Sequence, residues 1–186
     1  MGKNLSDRRN TLINILFVVY ILVLTGIILF KLPFYSPVIS DGIRAINLVP
    51  LMGSFDENGI LGLREITDNI MLFVPFGIYI SVLKSEWPIL KRVLSAAGLS
   101  LTFEVLQFIF ALGRTDVTDI LGNTFGGVIG ICVYALALRI LKDRTFKAIN
   151  IVALVLTVCV VSRFIYQFYV SYFVMSGPGL SLRASL

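Results

Sequence analysis

Glu104 and Gln107 stand three residues apart in an otherwise apolar run, and Asp116, Asp119 and Asn123 follow at spacings of three and four. In a helix such spacings place side chains on one face. Asp68 and Asn69 add an acid–amide pair at the start of another apolar run. Carboxylates and amide oxygens gathered this way could share a proton, hold a cationic ligand, or bind a hard ion such as Mg²⁺ or Ca²⁺. They could also act as general acid and base. Histidine is absent, which removes the commonest general base and metal ligand. No metal-ligand set is assigned, and the cofactor is left open. Cys132 and Cys159 both lie in apolar runs and read as packing residues.

Each group also has a structural explanation. Asp116 and Asp119 precede a helix, where carboxylates cap free N–H groups and suit the positive end of the dipole. Asp68 and Asn69 could be plain caps, and Arg114 a surface partner for a neighbouring acid. Glu104 is the hardest to explain this way, because an ionisable group within a membrane span is costly and points to function by default.

The elements that must position these groups follow from composition. Of 186 residues, 57% are apolar and only 15% charged, with a mean hydropathy of +0.91. Soluble domains carry about 25% charged residues, so a water-soluble fold is excluded, as is disorder. The net charge of +5 reports loop bias rather than nucleic-acid binding. The expectation is an all-α integral membrane protein, a polytopic bundle of five spans. They are predicted at 12–30, 66–83, 93–112 and 117–138, with the fifth starting near Ala148 and leaving the hydrocarbon near Arg163–Gln167. Residues 1–11 would form an inner N-terminus, 12–138 the main membrane domain, and 139–186 an inner loop, the last span and an external end. The first span follows Lys3, Arg8 and Arg9 and reads as an uncleaved anchor, because it is long for a signal peptide and no small-x-small site follows.

Orientation comes from loop charge. Lys3, Arg8, Arg9, Lys84, Lys91, Arg92, Arg139, Lys142, Arg144 and Lys147 fall on one side, against Lys31, Arg44, Arg64, Arg114 and Arg183 on the other. Asp41, Asp56, Glu57, Glu65, Asp68, Asp116 and Asp119 all lie on the Lys/Arg-poor side. The N-terminus is therefore expected inside and the polar groups in the outer leaflet. A short turn over Gly113–Asp116 should make spans three and four antiparallel neighbours. Glu104 would lie about 12 Å deep and Gln107 about 7 Å, facing Asp119 and Asn123. Gly122, Gly126 and Gly130 repeat every four residues, a stripe for close packing on span two or three. Pro75 and Gly77 should kink span two and free a backbone carbonyl. The one long loop, Lys31–Glu65, is external, and a loop of this length is often functional.

The segment from Ser100 to Gly127, with Glu104-x-x-Gln107 and then Arg114-x-Asp116-x-x-Asp119-x-x-x-Asn123-x-x-Gly126-Gly127, resembles the signature of the VanZ-like family. Asn47-Leu-Val-Pro50 and Asp68-Asn69-Ile-Met-Leu-Phe-Val-Pro75-Phe-Gly77 fit the same pattern, so the resemblance covers about 47–138. Leu51 departs from it, since the family more often has Phe after the proline. The resemblance implies a small multi-pass protein of the bacterial cell membrane, associated with low-level resistance to teicoplanin-type lipoglycopeptides. It implies a phenotype more readily than a reaction.

Three functions are weighed. The first is a resistance factor that reduces lipoglycopeptide access to lipid-linked cell-wall precursor. Its polar cluster would comprise Asp68, Asn69, Glu104, Gln107, Arg114, Asp116, Asp119 and Asn123, with Asn47 and Pro50 at the rim. Membrane lipids, and precursor or lipoglycopeptide, would be the partners. The second is a membrane-embedded enzyme on a lipid or polyprenyl-phosphate head group, using the carboxylates. No G-x-S-x-G elbow or Walker loop supports it. The third is a transporter or helper subunit. Five spans without an obvious internal repeat weigh against a stand-alone transporter.

Overall fold

The computed structural model describes residues 2–30, 45–51, 63–112 and 114–176. Helix α1 is Gly2–Phe30, strand β1 Ala45–Asn47, α2 Leu63–Leu83, α3 Ile89–Phe110, β2 Arg114–Asp116, α4 Val117–Leu141 and α5 Thr145–Ser176. A single 3₁₀ turn, Lys142–Arg144, links the last two helices. The protein is a helical membrane bundle, as its composition requires. The expected loop 31–65 lies partly outside the described residues, as do Arg44, Asp41, Asp56 and Glu57.

Four stretches, not the expected five, are long and apolar enough to cross a membrane: Thr11–Leu29, Leu63–Leu83, Ile89–Phe110 and Val117–Cys159. The last runs for 43 residues, because α4, the 3₁₀ turn and the first half of α5 form one continuous apolar stretch. Helix α5 is continuous from Thr145 to Ser176, through the Arg163–Gln167 region.

The centre of the bundle is the contact between α2 and α4. A Cβ at Gly126 would run into the Ile70 carbonyl, and one at Gly130 into the Val74 carbonyl. Gly122 lies over Ile66 and Asn69, and Gly77 of α2 touches the Gly127 backbone in turn. The pairings 66/122, 70/126 and 74/130 advance together, so α2 and α4 run in the same direction. Apolar lipid provides no hydrophobic drive between helices, so association depends on close van der Waals approach, which small residues permit. Gly127 points the other way, with its Cβ position 2.7 Å from the Ala96 Cβ of α3.

Helix α1 presents the stripe Ile13, Leu16, Tyr20 and Leu24, at helical spacing, to the other helices. Leu24 and Leu29 pack with Phe73, Phe76, Ile80, Ala96 and Phe103. Ile13 and Leu16 pack with Tyr79 and with Phe146, Ile149 and Ala153 of α5. Tyr79 thus lies where α1, α2 and α5 meet. Pro75 lies inside α2 and removes one rung of its ladder. The adjoining rung is touched by Tyr20, whose hydroxyl donates to the Leu72 carbonyl at 2.8 Å. The region of Pro75 thus hydrogen-bonds to α1.

These contacts put the end of α1, the start of α2, the end of α3 and the start of α4 together at the acid-rich, Lys/Arg-poor end. At the opposite end, Lys91 Nζ sits 4.2 Å and Lys84 Nζ 5.6 Å from the Trp87 ring. An aromatic ring flanked by lysines suits a membrane interface.

Candidate functional site

The short link between α3 and α4 builds the polar cluster. Ala111 closes α3 in the left-handed conformation at φ 51°, and Leu112 N–H returns to the Gln107 carbonyl at 2.9 Å. The link does not turn directly into α4. Residues 114–116 extend as β2 and pair in parallel with β1, Asn47 opposite Asp116. A plain tight turn was expected here. The strand forms because the segment around Asn47 returns to supply a partner backbone.

Glu104 is 2% exposed. Its Oε2 accepts the Asp116 N–H at 2.9 Å, and its backbone carbonyl accepts the Thr115 hydroxyl at 3.2 Å. Helix α3 ends at Phe110, earlier than expected, so Glu104 lies about 9 Å from its end rather than 12 Å. Asp116 is the N-cap of α4. Its Oδ1 accepts the Thr118 N–H at 2.8 Å, and its Oδ2 accepts Asn47 Nδ2 at 2.9 Å. Capping and clustering are thus the same act: one carboxylate oxygen starts the helix and the other holds the returning segment. Thr118 Oγ1 then accepts the Leu51 N–H at 2.8 Å.

Asp119 faces α2, where Asn69 Nδ2 donates to its Oδ1 at 2.6 Å. One turn further along α4, Asn123 Nδ2 donates to Ser100 Oγ at 2.9 Å. Gln107 turns to α1 instead, donating to the Ile28 carbonyl at 3.0 Å. The carbonyl oxygens Asn123 Oδ1 and Gln107 Oε1 are buried without a hydrogen-bond partner. Leaving a buried acceptor unsatisfied is costly, so these two positions retain acceptor capacity.

The structure therefore brings together Asn47, Asn69, Glu104, Asp116, Asp119 and Asn123. Spans three and four do meet through polar groups, but by Glu104 on Asp116 and Ser100 on Asn123. The expected facing of Glu104 and Gln107 onto Asp119 and Asn123 is corrected, since Asp119 and Gln107 turn to α2 and α1. Asp68 is a further correction: its side chain is exposed. Successive helical residues rotate by about 100°, so the turn that aims Asn69 at Asp119 aims Asp68 away. Pro50 is exposed and Asn47 half-buried, next to the cluster. The Arg114 backbone lies in β2 opposite Ala45; its side chain is outside the described residues. Among the described residues no group of three or more Cys, Asp and Glu side chains is placed to hold a metal.

Two contributors escaped the sequence reading. Ser100 lies four residues before Glu104 on the same face of α3 and is fully buried; that spacing was the available signal. The Thr118 tether to Leu51 left no local signal, because its partner is 67 residues away in sequence.

The VanZ/LLP1 family model matches residues 17–141. Protein VanZ from Enterococcus faecium is 37% identical over 161 residues, covering 84% of this chain and 92% of that protein. No solved structure matches. The matched region begins in α1 and ends with the last residue of α4, so it contains every residue of the polar cluster, and this chain belongs to the VanZ/LLP1 family.

Proposed function

We propose that this chain is a multi-pass protein of the bacterial cell membrane that gives low-level resistance to teicoplanin-type lipoglycopeptides. It does so by reducing their access to lipid-linked cell-wall precursor at the outer leaflet. Family membership supports the phenotype. The observation that carries the location is the buried Glu104 carboxylate on the first residues of α4, within a cluster drawn from three helices and the 45–51 segment. Loop charge assigns that end of the bundle to the outer face.

Such antibiotics carry an acyl chain suited to the leaflet and a core that binds the peptide stem of the precursor. A polar cluster at head-group depth is suited to shield or sequester the head group they compete for. The orphan oxygens of Asn123 and Gln107 would accept donors from such a ligand. The test is teicoplanin susceptibility of cells carrying Glu104→Gln or Asp119→Asn, with membrane abundance measured in the same cells. Protection should be lost at unchanged abundance. Full protection from both variants would overturn the proposal.

A further inference from the structure

The segment that crosses the acid-rich end turns its apolar side chains outward. Ile46 is 56% exposed, Leu48 73%, Val49 55% and Leu51 41%. Pro50 is exposed as well, and the one polar residue of the run, Asn47, points inward to Asp116. A contiguous exposed apolar patch on a small protein marks an interaction surface.

Several backbone donors of this segment are satisfied within the protein. Residues 45–47 pair with β2. The Val49 N–H donates to Asn47 Oδ1 at 3.2 Å, the Leu51 N–H donates to Thr118 Oγ1 at 2.8 Å, and Pro50 has no N–H. Leu51 adopts φ 67° to reach Thr118, a left-handed conformation that leucine rarely takes. A loop in water needs none of this, because water satisfies its donors. A segment beside hydrocarbon must satisfy its donors internally. The segment is also level with the helix ends, since Asn47 is bound to the cap of α4. The same end exposes Leu63 of α2 (62%), Phe110 of α3 (62%) and Leu121 of α4 (55%), so the patch continues the apolar surface of the spans.

We infer that residues 46–51 dip into the bilayer at the acid-rich end, with Ile46, Leu48, Val49 and Leu51 among the acyl chains just below the head groups. The partner is the lipid leaflet itself. This placement stands whether or not the protein confers resistance.

Trp87 is the only tryptophan and lies at the opposite end, so a reporter can be introduced cleanly. The full chain carrying Trp87→Phe and Leu48→Trp is reconstituted into vesicles, with iodide on both faces or with lipids brominated near the head-group end of the acyl chain. The expected result is blue-shifted emission, mostly lost on the brominated lipid and indifferent to iodide. Red-shifted emission quenched by iodide and untouched by brominated lipid overturns the inference. Val49→Trp in the same background supplies the reading should Leu48→Trp fail to fold.

Discussion

The Glu104 carboxylate receives the backbone N–H of Asp116 at 2.9 Å, and Asp116 is the residue that caps α4. An acid within α3 thereby fixes where the next helix begins. Replacing Glu104 with alanine removes that acceptor and strands a buried N–H, a cost of about 1–3 kcal/mol. Glu104→Gln keeps an oxygen there. Thermal denaturation in detergent should show a clear loss for the alanine variant and a smaller one for glutamine. Equal losses would mean that the hydrogen bond does not organise the site.

Glycines in this protein should divide sharply. A Cβ at Gly126 or Gly130 would meet the α2 backbone, whereas one at Gly98 meets nothing within 4 Å. Gly126→Ala and Gly130→Ala should therefore cost about 1–3 kcal/mol through overpacking. Gly98→Ala should instead add about 0.5–1 kcal/mol, because alanine loses less backbone entropy in a helix. Detergent melting of the three variants is the measurement, and a destabilised Gly98→Ala would contradict the packing described.

Tyr20 holds α2 beside Pro75 through the Leu72 carbonyl. Tyr20→Phe keeps the ring packing and removes only the hydroxyl. Hydrogen bonds within membrane bundles are worth about 0.6 kcal/mol on average, at most about 1.7. A small stability loss is expected, with faster amide exchange confined to residues 72–76. Uniform exchange across α2 would show that the clamp does nothing local.

Thr118→Val deletes the acceptor of the Leu51 N–H but leaves the Asp116 cap intact. Amide exchange at 49–51 should rise while α4 keeps its protection. Release of α4 as well would show that segment and helix start form one cooperative unit.

Asp68 offers the contrasting case. It is exposed and one residue away from Asn69, whose amide holds Asp119. Asp68→Asn should change stability by less than about 0.5 kcal/mol, whereas Asn69→Leu should lower it measurably. Paired melting curves decide it; a large effect at Asp68 would return that residue to the cluster.

Much of this was legible without coordinates. Apolar run length is a sum over many residues, so it was enough for a helical membrane bundle and for the starts and ends of α2, α3 and α4 to within a few positions, though not for the number of spans. The glycine stripe announced close packing, because only small side chains allow backbones to touch. Short-range spacing placed Glu104, Asp116, Asp119 and Asn123 at one end of the chain's helices. Which neighbour each would meet was not local information. Whether the stripe packs on α2 or α3, whether Gln107 turns to α1, and that residues 45–47 come back to pair with 114–116 all depend on contacts between distant parts of the chain. A rotation of one residue, about 100°, separates Asn69 in the cluster from Asp68 outside it. Hydropathy cannot resolve that rotation in helices apolar on nearly every side; the packed backbones of α2 and α4 do.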